Sequence, residues 1–406
     1  MKINRCRNCS KKKFKNLFSL GNLSFTGKFE KKNSSIPKGK IEIVICLNCK
    51  LVQLNRNFSL KYMYNKNYGY RTGINKTMTE HMRGKVNKLK KISRLKRKDL
   101  VLDIASNDGT LLNFYSKKYV KVGIDPVLIK FKKFYKNIEY YSPNFFSYKI
   151  IKKLNIKKKF KVITALSVFY DLKDPNKFLS DIKKILDIQG VLCLEFTDLF
   201  SIIKRNMFDT FCHEHLEYYS VYVLNNMLKK NGLKIFDHEY NDINGGSSSF
   251  LICHEKSGFK VNSKKIKKII RREVKFGINN ISLYKSFYKK ICKIKYDLKN
   301  KFNKYNLMNK KIHAYGASTK GNVLLQFMGL DNKQIEFVSD RNSAKWGLYT
   351  PGTKIKIISE NLSRKKMPDY YLVLPWHFKK EILKRESKIR RDGTKFIFPL
   401  PKIVVK

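Results

Sequence analysis

"LVLDIASNDGTLL" (100–112) decides the fold. Its first five residues are an apolar, strand-like run, a turn containing Gly109 follows, and the pattern then becomes helical. The next apolar run, "VKVGIDP", places Asp125 at the end of a second strand. Gly109 lets backbone come close to a ligand, and an acidic residue roughly 20 positions after the first turn can accept ribose hydroxyls. The pattern G-x-G-x-x-G is absent, so a dinucleotide pyrophosphate has no cradle. Asp103 and Asp108 beside the turn would repel phosphate but suit a cationic amino-acid ligand; the competing reading is a ligand-free α/β turn. Further on, "FKVITALSVF" and "GVLCLEFT" are strand-like and are separated by amphipathic lysine-rich stretches. That alternation implies βαβ units and a parallel sheet, an α/β fold.

The flanks carry different signals. The 406 residues exceed what one hydrophobic core usually holds. At the N-terminal end Cys6-x2-Cys9 and Cys46-x2-Cys49 bracket the β-branched run "IEIVICLNCKLVQL". A two-residue gap lets both thiolates of a turn bind one ion, and four thiolates close a tetrahedron, so Cys6, Cys9, Cys46 and Cys49 predict a structural Zn²⁺ site. Four unrelated buried cysteines are the alternative. Between about 264 and 310, Ile266, Ile269, Ile270, Val274, Ile278, Ile281, Phe287 and Ile291 fall mostly at helical spacing, predicting one long basic helix between domains. Beyond it "YGASTKGN" and "VSDRN" form a second Rossmann-like half, with Gly316 and Gly321 around a turn. Asn322 stands where a P-loop needs lysine, but backbone N–H groups and Lys320 could hold a diphosphate at a helix N-terminus.

"FDTFCHEHLEYYS" (208–220) is the densest polar cluster. A zincin needs H-E-x-x-H, and position 217 is glutamate. On extended chain His213 and His215 would share one face, with Glu214 opposite. An imidazole, with a reference pKa near ~6.5, takes a proton at neutral pH, worth roughly 10²–10⁴ in rate when positioned. A polar helix start with satisfied histidines is the plainer alternative. The cluster's place after a late strand favours acid/base chemistry, because loops at strand C-termini line ligand crevices.

The formal net charge is +57, from 88 Lys+Arg against 31 Asp+Glu. The lysines are spread through every segment without interleaved aromatics, which predicts a solvated surface and speaks against nucleic acid as partner, though an RNA or DNA methyltransferase stays an alternative. No run approaches the roughly 20 apolar residues of a membrane span, so a cytoplasmic, monomeric protein with reduced cysteines is expected.

The turn at 103–109 with Asp125 resembles the S-adenosylmethionine (SAM) site of class I methyltransferases. Taken in order, the two cysteine pairs, "YGYRTGINKTMTEH", "IASNDGTLL", "GIDP", "SVFYDLKDP", "FDTFCHEHLEYYS", "INGGSSSFLIC", "YGASTKGN", "SDRNSAKWGLYTPGT" and "LVLPWHF" resemble the three-domain sugar C-methyltransferases that act on nucleotide-linked ketosugars. The resemblance implies a zinc-binding domain at 1–70, a SAM-binding domain at 71–260, a helical linker at 261–310 and a Rossmann-like substrate domain at 311–406. It implies that Tyr70, Asp103, Ala105, Ser106, Asn107, Asp108, Gly109, Asp125 and Ser167 meet SAM. It implies that Asp171, Cys212, Asn244, Gly245, Gly316, Ser318, Lys320 and Arg341 meet the nucleotide-diphosphate sugar. His215 would remove the proton α to the ketone and Glu214 would orient the sugar, with His213, Tyr218 and Tyr219 beside them. Two departures stand out: Cys212 replaces the tyrosine before H-E-H, and Asp171 replaces a histidine. Tyr170, Tyr218 or Tyr219 is left to supply a phenol, and O-methylation of a sugar hydroxyl is the alternative reaction.

Overall fold

The computed structural model describes residues 1–406 apart from 30, 32, 33, 35, 60–62 and 64–68, so Tyr68 of "YGYRTGINKTMTEH" lies outside the described residues. Strands β1 (Phe14–Ser24), β2 (Lys38–Cys46) and β3 (Val52–Leu54) pair antiparallel. Each cysteine pair sits in a tight turn, closed by Ser10 N–H to Cys6 O and Lys50 N–H to Cys46 O, both at 2.9 Å. Ser10 and Lys50 take positive φ to complete these turns.

The middle of the chain supplies β4 (Leu100–Ile104), β5 (Val120–Ile124), β6 (Tyr140–Ser142), β7 (Phe160–Leu166) and β8 (Leu186–Phe196). The short β9 (Glu217–Tyr218) follows, then β10 (Leu233–Asn241) and β11 (Ser247–His254). Seven of them form a sheet of order β10-β11-β8-β7-β4-β5-β6. β4 to β8 are parallel, and β11 runs antiparallel to both of its neighbours. All five residues of β4 are buried, as expected of a parallel strand covered on both faces. Strand order reverses between β4 and β7, which opens a crevice beyond their C-terminal ends. β9 stays out of this sheet. It pairs with β3, Gln53 opposite Glu217 and Val52 opposite Tyr218, and becomes the fourth strand of the N-terminal sheet.

The basic stretch forms two helices, Ser263–Phe276 and Ile281–Leu307, in place of the single helix expected. Gly277, at φ +90°, ends the first as a left-handed cap whose N–H bonds Glu273 O and Val274 O. The second is a core element. Its Tyr284, Phe287, Ile291, Leu298 and Phe302 are buried in one cluster with Phe18 of β1 and the C-terminal sheet. That last sheet contains β12 (Ile312–Tyr315), β13 (Phe337–Asp340), β14 (Lys356–Ser359), β15 (Tyr370–Val373), β16 (Lys395–Phe398) and β17 (Val404–Val405). Its order is β14-β13-β12-β15-β16-β17, parallel except for β17, so a second switch point lies between β12 and β15. Among the described residues no helix is long and apolar enough to cross a membrane.

Candidate active site

Beyond β4 and β7 the chain encloses a cavity of about 520 Å³. β4 leaves its sheet through Ala105 (φ 61°) and Asn107 (φ 50°), and the N–H groups of Ala105 and Ser106 both donate to Ile124 O. This turn presents Asp103, Ala105, Ser106 and Asn107 to the cavity. Asp125, at the end of β5, accepts the N–H of Asn107 at 2.9 Å and of Val127 at 2.7 Å, while burial pushes its carboxyl up. Asp103 accepts the Thr164 hydroxyl at 2.5 Å; burial, reinforced by Asp125, raises its pKa to about 7. A carboxyl so placed becomes fully ionised when a cation binds beside it, which fits an amino-acid ammonium or a sulfonium. Asn107 also accepts the Thr72 N–H and donates to Tyr70 O, drawing the segment 70–72 across the cavity. Ser167 (φ 57°), beyond β7, forms part of the wall.

Asp108 and Gly109 do not reach this cavity. Asp108 accepts Arg71 Nε at 3.1 Å and Gly73 N–H at 3.0 Å, so it fastens the 70–73 segment to the turn instead of meeting a ligand. At Gly109, φ +72°, a Cβ would lie 3.1 Å from both Tyr135 and Ile138; what needs the glycine is close packing of protein on protein.

The segment 208–220 enters through the 3-10 turn Phe208–Thr210 and stays irregular until β9. The extended-chain expectation for the histidines is therefore overturned: Glu214 and His215 both face the cavity and His213 turns away. The His213 ring sits 4.7 Å from Phe25 and 4.8 Å from Phe58, its Nε2–H donates to Gly39 O, and burial lowers its pKa to about 4. It is a packed neutral imidazole, distant from any chemistry. His215 differs. Its Nδ1–H donates to Thr210 O at 2.7 Å, which fixes the tautomer and leaves the Nε2 lone pair without a partner among the described residues. The Tyr170 ring lies 4.2 Å away, and burial, with the Lys320 charge adding to it, lowers the imidazole pKa to about 3. Glu214 accepts the Thr26 hydroxyl at 3.3 Å, and burial raises its pKa. A Cβ at Gly27 would stand 2.7 Å from Glu214 Oε1, so the N-terminal domain closes over this carboxyl only because position 27 is glycine.

Three further expectations for this segment are corrected. Tyr218 is 2 % exposed and donates to His215 O at 2.9 Å, so it braces the loop from behind. Tyr219 is enclosed by Phe169 and Phe196. Cys212 is fully buried in the apolar core. None of the three reaches the cavity, whereas Tyr170 and Asp171 do.

In the C-terminal domain Gly316 (φ +82°) follows β12, and Ser318 caps the helix Thr319–Met328 by accepting Gly321 N–H at 3.0 Å. Asp340, ending β13, accepts the N–H groups of Ala317 and Asn342, both at 2.7 Å, as Asp125 does in the first domain. A second crevice of about 230 Å³ lies here, lined by Gly316, Ser318, Asp340, Arg341 and Arg385. Tyr70, Asn75, Ser318, Thr319, Pro375 and Phe378 border both spaces. Lys320 lines the larger one and donates to Asn244 O at 3.0 Å; burial lowers its pKa. Asn244 lines it as well, but Gly245 does not: at φ +90° it packs under Met207 and Trp376, where a Cβ would be 2.9 Å from each.

Sequence reasoning missed His81 and Glu195, which face the same cavity. His81 Nε2 bonds Glu195 Oε1 at 2.5 Å, while Lys85 Nζ and Asn241 Nδ2 take Oε2 at 2.8 and 3.0 Å. Burial alone would raise the Glu195 pKa; the His81 bond and the Lys85 charge outweigh it and hold it below the usual range.

The four thiols Cys6, Cys9, Cys46 and Cys49 lie within 4.8 Å of one another, with Cys6–Cys49 and Cys9–Cys46 Sγ pairs at 3.6 Å. Zn–S bonds of about 2.3 Å in a tetrahedron give S···S edges of about 3.8 Å. All four are free thiols, and the donor set fits a structural Zn²⁺.

A seven-stranded sheet of this order, with an acid-lined crevice at its switch point, defines a class I SAM-dependent methyltransferase. Residues 74–238 match the model described as a methyltransferase domain, and 242–401 match the C-methyltransferase C-terminal domain. The two matches lie end to end over most of the chain, a methyltransferase domain followed by a C-methyltransferase C-terminal domain, as in a SAM-dependent C-methyltransferase. The chain is 25 % identical to C-methyltransferase NovU of Streptomyces niveus over 412 residues, covering 98 % of this chain and 96 % of that one. Among solved structures, a SAM-dependent methyltransferase from Clostridium acetobutylicum ATCC 824 matches with TM-score 0.35 at 14 % identity, over 43 % of this chain and 92 % of that chain. Magnesium protoporphyrin IX methyltransferase from Synechocystis PCC 6803 gives TM-score 0.35 at 14 % identity, over 44 % and 88 %.

Proposed function

We propose that the chain methylates the carbon next to a ketone in a nucleotide-diphosphate-linked sugar. The observation that carries this reading is His215, whose Nδ1–H is committed to Thr210 O while Nε2 opens into the cavity that also holds Asp103 and Asp125. Nε2 removes the α-proton, and the resulting imidazolium keeps a charge-assisted hydrogen bond to Thr210 O. The low pKa of the His215 imidazole suits this role, since the ring waits unprotonated and gains affinity for the proton only as enolate charge develops beside it. Glu214 accepts hydroxyls of the sugar, and Tyr170 is the phenol nearest the base. Lys320 and the N–H groups after Gly316 hold the diphosphate, with the nucleoside in the second crevice. SAM, when bound by Asp103, Asp125 and the 105–107 turn, supplies the methyl group. Alignment of carbon and methyl provides much of the acceleration.

The test is proton exchange without methyl transfer. With S-adenosylhomocysteine and a panel of dTDP-, GDP- and CDP-4-ketosugars in D₂O, the wild type should wash deuterium into the carbon beside the ketone and His215→Gln should not. Exchange at the wild-type rate in that variant removes the assigned base, and a methoxy signal in the product of the full reaction would assign O-methylation instead.

A further inference from the structure

Arg7 stands between the first two cysteines, yet its side chain is 3 % exposed and points away from the thiolates toward the base-bearing loop. At its root it is tied to the metal-binding turn: its own N–H donates to Gln53 Oε1 at 3.2 Å, and Gln53 Nε2 donates to Cys6 Sγ at 3.2 Å. At its tip Nη1 donates to Leu54 O at 2.8 Å and to Leu216 O at 3.3 Å, and Nη2 donates to Arg56 O and Asn57 Oδ1. Nε lies 3.5 Å from Glu217 Oε1 with no hydrogen bond between them; the Glu217 carboxyl has no exposed surface, and burial pushes its pKa well up against the opposing Arg7 charge. Leu216 is the residue after His215. Its N–H donates to Tyr170 O at 2.7 Å, and the Tyr170 ring lies against the His215 imidazole. The Leu216 carbonyl also accepts Leu54 N–H at 2.9 Å, so the peptide following the base is held on one side by β3 and the guanidinium together and on the other by the backbone under its ring neighbour.

Stability alone gives little reason for such an arrangement. A buried ion pair is often no more stabilising than apolar residues of the same volume, whereas its planar donor fork fixes the angles at which several acceptors meet. Here those acceptors belong to two parts of the chain more than 150 residues apart, and one of them adjoins His215.

We propose that Arg7, with Glu217, is a positioning pair that transmits the geometry of the four-thiolate site to His215, holding the imidazole in its Nδ1–H tautomer with Nε2 toward the cavity. The proposal rests on the reading of His215 as the base, and it goes further in giving the metal site a part in catalysis through this chain's own residues. Removal of the fork should leave the cofactor side untouched, because Asp103, Asp125 and the 105–107 turn are anchored in the central sheet.

The experiment uses the metal-loaded full chain labelled with ¹⁵N-histidine, the His215 signals being assigned by their absence in His215→Gln. Wild type should show a single Nδ1–H tautomer. Arg7→Lys keeps the charge and loses the fork; it should retain one metal ion per chain and SAM affinity within about twofold, show mixed tautomers at His215, and lose roughly ten- to a hundredfold in kcat, as outer-shell supports do. Glu217→Gln, which preserves shape, should move the same readouts in the same direction. Unchanged tautomer and kcat in both variants would overturn the proposal, as would loss of metal and SAM binding in both, since Arg7 would then act on the fold at large. If no ketosugar exchanges in wild type while the tautomer still shifts in Arg7→Lys, the proposed reaction fails and the positioning role stands.

Discussion

Lowering the pH tests the assigned base directly. The imidazole is active when neutral, and burial has moved the His215 pKa from an ordinary value near 6.5 down to about 3. Because the folded pKa is depressed, the active form is present above that value and is lost only as pH falls through about 3. The readout is kcat/KM for deuterium exchange at saturating S-adenosylhomocysteine, which reports the free-enzyme base. An imidazole of pKa about 6.5 would be about 90 % neutral at pH 7.5 and about 9 % at pH 5.5, a tenfold loss. At a pKa of about 3 the neutral fraction stays above roughly 99 % over that interval, so the profile should be flat to within a few per cent. Saturating cofactor matters because Asp103, with its pKa raised to about 7, titrates in the same window and would otherwise weaken cofactor binding as pH falls. An acid limb centred between 6 and 7 under these conditions would refute the reasoning, for it would mean that the working base is solvated or lies elsewhere.

His213→Phe should keep kcat within about threefold, since that ring packs against Phe25 and Phe58 and bonds Gly39 O away from the cavity, whereas His215→Gln should lose roughly 10²–10⁴; steady-state kinetics on the two variants compares them. Asp103→Asn should weaken cofactor binding by about 1.5–3 kcal/mol, the worth of a hydrogen bond to a charged group, and should abolish the pH dependence of the cofactor Kd near 7, read by calorimetry. Lys85→Met removes the cation paired with Glu195, both side chains being at most 6 % exposed, and should cost about 3–5 kcal/mol in urea unfolding.

What the sequence disclosed depended on the distance over which the information is written. The thiolate pairs are local, two residues apart, and their turns form as the spacing requires. The βαβ rhythm is written in short apolar runs, each of which became a strand of the central sheet. The histidine orientations depart from the alternation rule because that rule needs regular backbone, and 211–216 has none before β9 begins at Glu217. Tyr218 and Tyr219 gave no warning that they point into the core, since nothing in their neighbours records that β9 pairs with β3. The bond between His81 and Glu195 spans 114 positions and has no signature in either segment. Gly277 is a local helix stop, but it sits inside a continuous lysine-rich pattern of helical period that masks it.

The shared core of the outer two domains has a consequence during synthesis. Phe18 of β1 finds its aromatic partners Phe287 and Tyr288 on the helix Ile281–Leu307, which leaves the ribosome only after the whole cofactor domain. At roughly 5–20 residues per second that wait lasts on the order of tens of seconds. Throughout it Phe18 has only Phe211 of the middle domain to lie against, so β1 completes its native surroundings only when the far helix arrives.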